Sequence, residues 1–146
     1  MPNAVVDMSC PARFERQVRI RFSHCDPAGI VFFPQYLVLF NGLVEDWFTD
    51  ALGISYGDML GRRRTGLPTV HLQCDFRAIC RMGDVVTLAL VPVKVGHRSL
   101  TLSLSCNLGD VLCVEVQQVL VFTSLDTHHA IEMPHDVRQA LTALSA

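Results

Sequence analysis

The sequence predicts an α+β chain in which a curved antiparallel five-stranded sheet wraps around one long helix. Three observations carry this. Several segments alternate apolar and polar residues with the period of two of a half-buried strand. One extended segment shows the three-and-four spacing of an amphipathic helix. The last four strand segments are joined by tight connections, which makes their neighbours antiparallel.

The elements follow in chain order. In residues 17–22, Val18, Ile20 and Phe22 alternate with Gln17, Arg19 and Arg21. The spacing predicts a helix over residues 36–52, with Leu37, Phe40, Leu43, Val44, Trp47, Phe48 and Leu52 as its apolar positions and Gly53 as its stop. Pro34 suits the first turn because its missing N–H has no helical partner to lose. Val70, Leu72, Cys74, Phe76 and Ala78 form the next alternation, and Met82-Gly83-Asp84 a turn. Residues 85–95 are apolar on both faces, as in a central strand. Beyond Gly96 and His97, Leu100, Leu102, Leu104 and Cys106 alternate with Ser and Thr; Leu112, Val114, Val116, Leu120 and Phe122 mark the last strand. A short helix over residues 134–144 closes the chain. A sheet with one apolar face needs a cover, and only the 36–52 helix is long enough. The sheet therefore curls around it, which is the hot-dog arrangement.

A length of 146 residues suits one domain, expected over residues 13–146 after a loose tail at 1–12. The tail carries no basic residue before Pro11 and no sustained apolar core, unlike a secretory signal. A net charge of −2 argues against a general nucleic-acid binder, and no apolar run approaches the length of a membrane span. The six cysteines (Cys10, Cys25, Cys74, Cys80, Cys106 and Cys113) form no C-x-x-C pair. They read as reduced, mostly core residues of a cytoplasmic protein. No metal set and no cofactor motif is expected; His128, His129 and His135 read as surface residues.

Catalytic groups favour irregular segments held by a rigid scaffold. The link from the first strand to the long helix reads His24-Cys25-Asp26-Pro27-Ala28-Gly29-Ile30-Val31-Phe32-Phe33-Pro34-Gln35-Tyr36. It is mostly apolar, contains one carboxylate, and ends at a helix N-terminus, where free N–H groups and the dipole favour negative charge. A carboxylate beside such a donor suits attack on a carbonyl. Asp-Pro is also a common turn opener, and the residues alone leave Asp26 balanced between turn-former and catalyst.

This stretch resembles the signature of the 4-hydroxybenzoyl-CoA thioesterase family in its Asp-dependent branch: D-P-A-G-I-V, two aromatics, Pro34, then Tyr36. Weaker matches at Leu67-Pro68, Gly83-Asp84-Val85 and His97-Arg98-Ser99 extend the likeness from about Phe14 to Phe122. The resemblance implies hot-dog subunits paired so that two sheets join, with active sites between them, in a homodimer and on to a homotetramer. It implies an acyl-CoA thioesterase for an aromatic acyl group such as hydroxybenzoyl. Asp26 would attack the thioester carbonyl or act as general base, and the Phe33 backbone N–H would receive the thioester oxygen. Relatives of cell-envelope systems often carry His where Phe33 stands, so this chain lies nearer the aromatic-acyl branch. His24, Gly29, Tyr36, Tyr56, Thr69 and His71 would contact substrate, the last three across the dimer interface. Lys94, His97 and Arg98 would meet the phosphates of coenzyme A, with Arg62-Arg63-Arg64 as another basic group. Two other classes stay open: a hot-dog module that binds acyl-CoA or acyl carrier protein without cleaving it, and a thioesterase for short or aliphatic chains. A hydratase would need a paired His and acid; the helix offers Glu45, Asp46 and Asp50 without a His.

Overall fold

The computed structural model describes residues 12–145, so nearly all of the expected tail, and Cys10, lie outside the described residues. β1 (Phe14–Arg19) is followed by a short 3₁₀ turn (Phe22–His24) and by α1 (Pro34–Asp46). α1 runs on into a π-helical turn (Trp47–Ala51). Then come α2 (Tyr56–Gly61), β2 (Thr65–Gly66), β3 (Thr69–Phe76), β4 (Val85–Val95), β5 (Ser99–Leu108), β6 (Val111–Val121), β7 (Thr123–Ser124) and α3 (His135–Leu144).

The main sheet has five strands in the order β1-β4-β5-β6-β3, every pair antiparallel. β4, β5 and β6 alternate buried and part-exposed residues along most of their length. Their inward side chains, among them Leu88, Leu90, Leu102, Leu104, Val114 and Val116, pack with Tyr36, Phe40, Leu43, Val44, Trp47 and Phe48 of the long helix in one core. At the depth of Trp47 and Phe48, both fully buried, truncation to alanine costs roughly 3–5 kcal/mol.

Several elements differ from expectation, each for a local reason. The first strand begins earlier and stops at Arg19. Ile20 is held by Asp84 and Gly83 through backbone hydrogen bonds of 2.7 and 2.8 Å, after which the chain turns away and leaves Phe22 82 % exposed. The helix widens at its C-terminus, where the Leu52 N–H reaches back five residues to the Trp47 carbonyl. Gly53, at φ +70°, ends it as expected. α2 was not foreseen, although Ser55 caps it by accepting from the Asp58 N–H, a start signal present in the sequence. The β2–β7 ladder is two residues long, too short for periodicity to show.

β3 differs from the inner strands β4, β5 and β6. Among the described residues it pairs only with β6 and its outer edge carries no partner, and it is mostly exposed. Among the described residues the exposed apolar side chains Val70, Leu72, Phe76 and Ile79 belong to this strand or the segment that follows it.

Candidate active site

The segment after β1 folds back on itself as a narrow hairpin. Cys25 bridges Val31, the Asp26 N–H donates to the Ile30 carbonyl (3.0 Å), and the Phe32 N–H to the His24 carbonyl (2.9 Å). The hairpin is stitched to the segment before β4: the Val31 N–H donates to Cys80, and the Met82 N–H to Gly29 (3.0 Å each). Gly29 sits at φ +78°, a left-handed conformation that glycine adopts without a Cβ penalty. Its own N–H and carbonyl are both used by the protein, so its contribution is conformational.

Asp26 forms the turn that its sequence context suggested and keeps one oxygen open. One carboxylate oxygen, Oδ1, accepts from the Ala28 N–H at 2.8 Å and fixes the turn. No group among the described residues donates to Oδ2. The carboxylate is oriented by one oxygen and available through the other.

Phe33 supplies the second part. It is the N-cap of α1, with no side-chain cap. Pro34 has no N–H; the Gln35 and Tyr36 N–H groups turn back to the carbonyls of Phe32 and Phe33. The Phe33 N–H has no acceptor among the described residues. It stands where the helix dipole favours developing negative charge. The Phe33 ring is exposed and meets Phe32 and Phe76 edge-on, at 5.7 and 5.9 Å between centroids.

The remaining candidates divide. His24 is turned back: its Nδ1 accepts from the Arg21 N–H (2.9 Å), which secures the 3₁₀ turn. Tyr36 is buried and borders a cavity of about 260 Å³ at the start of α1, with Val31, Phe33, Phe76 and Ile79. Burial, and then a hydrogen bond with Cys80, hold its phenol far above its ordinary value, so it stays protonated. Beneath it the Cys80 thiol lies beside those of Cys106 and Cys113; burial, then Cys80, raises Cys113 to about 11. Tyr56 and Thr69 lie further along α1, around an opening of about 560 Å³ that Glu45 and Gln118 also line. Burial first, then the Glu45 charge, raise the Tyr56 phenol.

His71 does not join them. A bulge at Val70 shifts the register, and His71 pairs with outward-facing Val119, whereas Thr69 pairs with buried Leu120. The imidazole therefore stands on the sheet face away from α1. The three arginines of the 62–64 run are each engaged, Arg62 with Asp58, Arg63 with Asp136 and Arg64 with Asp126, at 2.8 to 3.1 Å. They brace the loop before β2. Lys94, His97 and Arg98 are exposed around the β4–β5 turn, beside the Ser99–Val121 pair.

These groups do not converge within one chain. The Asp26 hairpin sits by the Val85 end of β4; Lys94, His97 and Arg98 sit at the Val95 end, roughly 34 Å away along an eleven-residue strand. Thr69 and Phe76 occupy opposite ends of β3, about 24 Å apart by the same rise. Sequence reasoning missed Asn41 and Gln118, which line the cavities along α1. Gln118 had a signal: it is the one polar residue at a core-facing position between Val116 and Leu120.

A family profile described as the thioesterase-like superfamily matches residues 20–141. The 4-hydroxybenzoyl-CoA thioesterase of Pseudomonas sp. (strain CBS-3) is 30 % identical over 128 residues, covering 82 % of this chain and 91 % of that one. A 1,4-dihydroxy-2-naphthoyl-CoA hydrolase of Nostoc punctiforme is 24 % identical over 122 residues, 84 % and 82 % of the two chains. Among solved structures, a 1,4-dihydroxy-2-naphthoyl-CoA thioesterase from Synechocystis superposes with a TM-score of 0.82 at 20 % identity, covering 92 % of this chain and 99 % of its own. The chain belongs to the thioesterase-like superfamily, with the hot-dog fold. Its reaction is hydrolysis of an acyl thioester. Among the described residues no helix is long and apolar enough to cross a membrane, and no group of side chains is arranged to hold a metal ion.

Proposed function

We propose that the protein hydrolyses aromatic acyl-CoA thioesters, releasing the free acid and coenzyme A, at sites built between two copies of the chain. The observation that carries this is the pairing of a free carboxylate oxygen on Asp26 with the unpaired Phe33 N–H, seven residues on, at the uncapped start of α1. The thioester oxygen accepts from the Phe33 N–H, and the helix dipole stabilises the oxyanion as the carbonyl carbon becomes tetrahedral. Asp26 either adds to that carbon, expelling the thiolate and leaving a mixed anhydride for water to open, or takes a proton from the water that adds. Both routes use the same two groups.

The open edge of β3 supports a paired assembly. Two copies paired antiparallel along this edge about its centre, near Leu72 and Gln73, set Thr69 of one beside Phe76 of the other. The Tyr56–Thr69 opening of one copy then meets the Asp26 and Phe33 hairpin of its partner, and Lys94, His97 and Arg98 are carried to the same mouth for the phosphates of coenzyme A. The exposed Val70, Leu72, Phe76 and Ile79 become buried. Pairs of such dimers form tetramers. The unpaired cysteines suit the reducing cytoplasm as the place of work. The names of the relatives, hydroxybenzoyl-CoA and dihydroxynaphthoyl-CoA hydrolases, support an aromatic acyl group.

Thiol release measured over benzoyl-, hydroxybenzoyl-, phenylacetyl- and aliphatic CoA esters tests the reading. Hydroxyaryl esters are expected to give the highest kcat/KM. A preference for aliphatic esters would overturn the aromatic assignment, and tight binding without thiol release would make the protein a binding module.

A further inference from the structure

Gln118 stands where the alternation of β6 calls for an apolar side chain. Its neighbours on the inward face, Val116 and Leu120, are buried, and Gln118 itself is only 5 % exposed. Its Nε2 donates to the Thr69 hydroxyl at 2.7 Å. Its Oε1 is the only buried side-chain oxygen among the described residues that receives no hydrogen bond. Leaving such an acceptor unmade is a standing cost that a leucine would avoid. Gln118 and Thr69 both border a cavity of about 150 Å³ whose other walls are mainly apolar, from α1 and the sheet. An apolar cavity of that volume holds a benzene-sized ring.

The hydrogen-bonding capacity left over is specific. Thr69 Oγ1 is occupied as an acceptor and keeps its own proton to donate; Gln118 Oε1 waits for a donor. A ring hydroxyl satisfies both at once, because it accepts and donates. A ring bearing hydrogen or a halogen at that point satisfies neither. We propose that Gln118, with Thr69, reads a hydroxyl group on the aromatic acyl ring and sets the preference for hydroxylated substrates. This rests on the aromatic acyl-CoA reading above and adds the residues that discriminate within it.

The test measures binding rather than turnover. Thioether analogues that cannot be hydrolysed, phenacyl-CoA and its 2-, 3- and 4-hydroxy forms, are titrated calorimetrically into the full-length protein and into Gln118→Met and Thr69→Val variants. The parent is expected to bind at least one hydroxylated analogue roughly tenfold or more tighter than phenacyl-CoA. Gln118→Met is expected to bring that ratio to within about threefold by weakening only the hydroxylated analogue. Thr69→Val changes an exposed residue, stays folded, and lowers the ratio in the same direction. Equal affinities in the parent, no binding of any analogue, or a ratio that survives both substitutions would overturn the proposal. Equal weakening of all analogues would do so too, since it marks a structural role. Thiol release is scored separately: its absence counts against the thioesterase reading while the affinity ratios still decide the role of Gln118.

Discussion

At the scale of single residues, the site depends on atoms that are not already in use. Asp26 spends one oxygen on the Ala28 N–H and keeps the other. The helix start keeps only the Phe33 N–H, because Pro34 has none and the next two turn inward. If this donor receives the thioester oxygen, the side chain at 33 matters little and the backbone matters greatly. Phe33→Ala is expected to keep kcat within about tenfold of the parent, whereas Phe33→Pro, which fits the observed φ of −52° but has no N–H, lowers it by roughly 10²–10³. Steady-state turnover of both variants on one aromatic CoA ester checks this; equal losses would remove the backbone from the mechanism. The same accounting shows why the sequence left Asp26 undecided. The turn uses one oxygen of the carboxylate and the proposed catalysis the other, and a residue letter does not separate the two.

At the scale of elements, periodicity was informative where one face is buried and silent elsewhere. Strands β4, β5 and β6 and helix α1 lie close to where their spacing put them, because each presents one apolar face to a shared core. Phe22 was misplaced because an apolar letter continued the alternation past the point where hydrogen bonds to Asp84 and Gly83 had ended the strand. The Val70 bulge sets Thr69 and His71 on opposite faces of β3 although they lie two residues apart, and a bulge leaves no mark in an apolar-polar pattern. The arginine run was open from sequence alone; its partners Asp58, Asp126 and Asp136 lie up to 73 positions away. The two-point contact of Arg63 with Asp136 holds the start of α3 to the loop before β2. Its guanidinium lowers the Asp136 carboxyl below 3.8, so the stabilisation is present above that pH and is lost as pH falls through and below it. With the carboxylate about half exposed, Asp136→Asn is expected to cost only about 0.2–1 kcal/mol at neutral pH. The difference from the parent should shrink in denaturation curves as pH falls below 3.8 and vanish once it is below the lowered native value of the carboxyl. A difference that persists there would mean the aspartate acts through something other than its charge.

At the scale of the whole molecule, the open edge of β3 is the feature on which the proposed pairing of two copies rests. The Asp26 hairpin and the basic turn at Lys94–Arg98 lie at opposite ends of the sheet, and in the assembly proposed above a second copy reversed along β3 brings them together. The expectation of such a pairing comes from the family resemblance and not from residue spacing, since no local pattern encodes an unpaired strand edge. Leu72 lies near the centre of the proposed seam, so Leu72→Glu opposes two carboxylates there. Sedimentation is expected to show monomers, with thiol release reduced at least tenfold; an intact, active dimer would move the interface elsewhere. The account as a whole stands on Asp26 acting within that assembly. The most direct measurement is kcat for Asp26→Asn on the best aromatic CoA ester, taken beside its melting temperature and sedimentation coefficient. The result predicted is unchanged assembly and melting, with turnover lowered by roughly 10²–10⁴. Turnover within a few-fold of the parent would contradict the account.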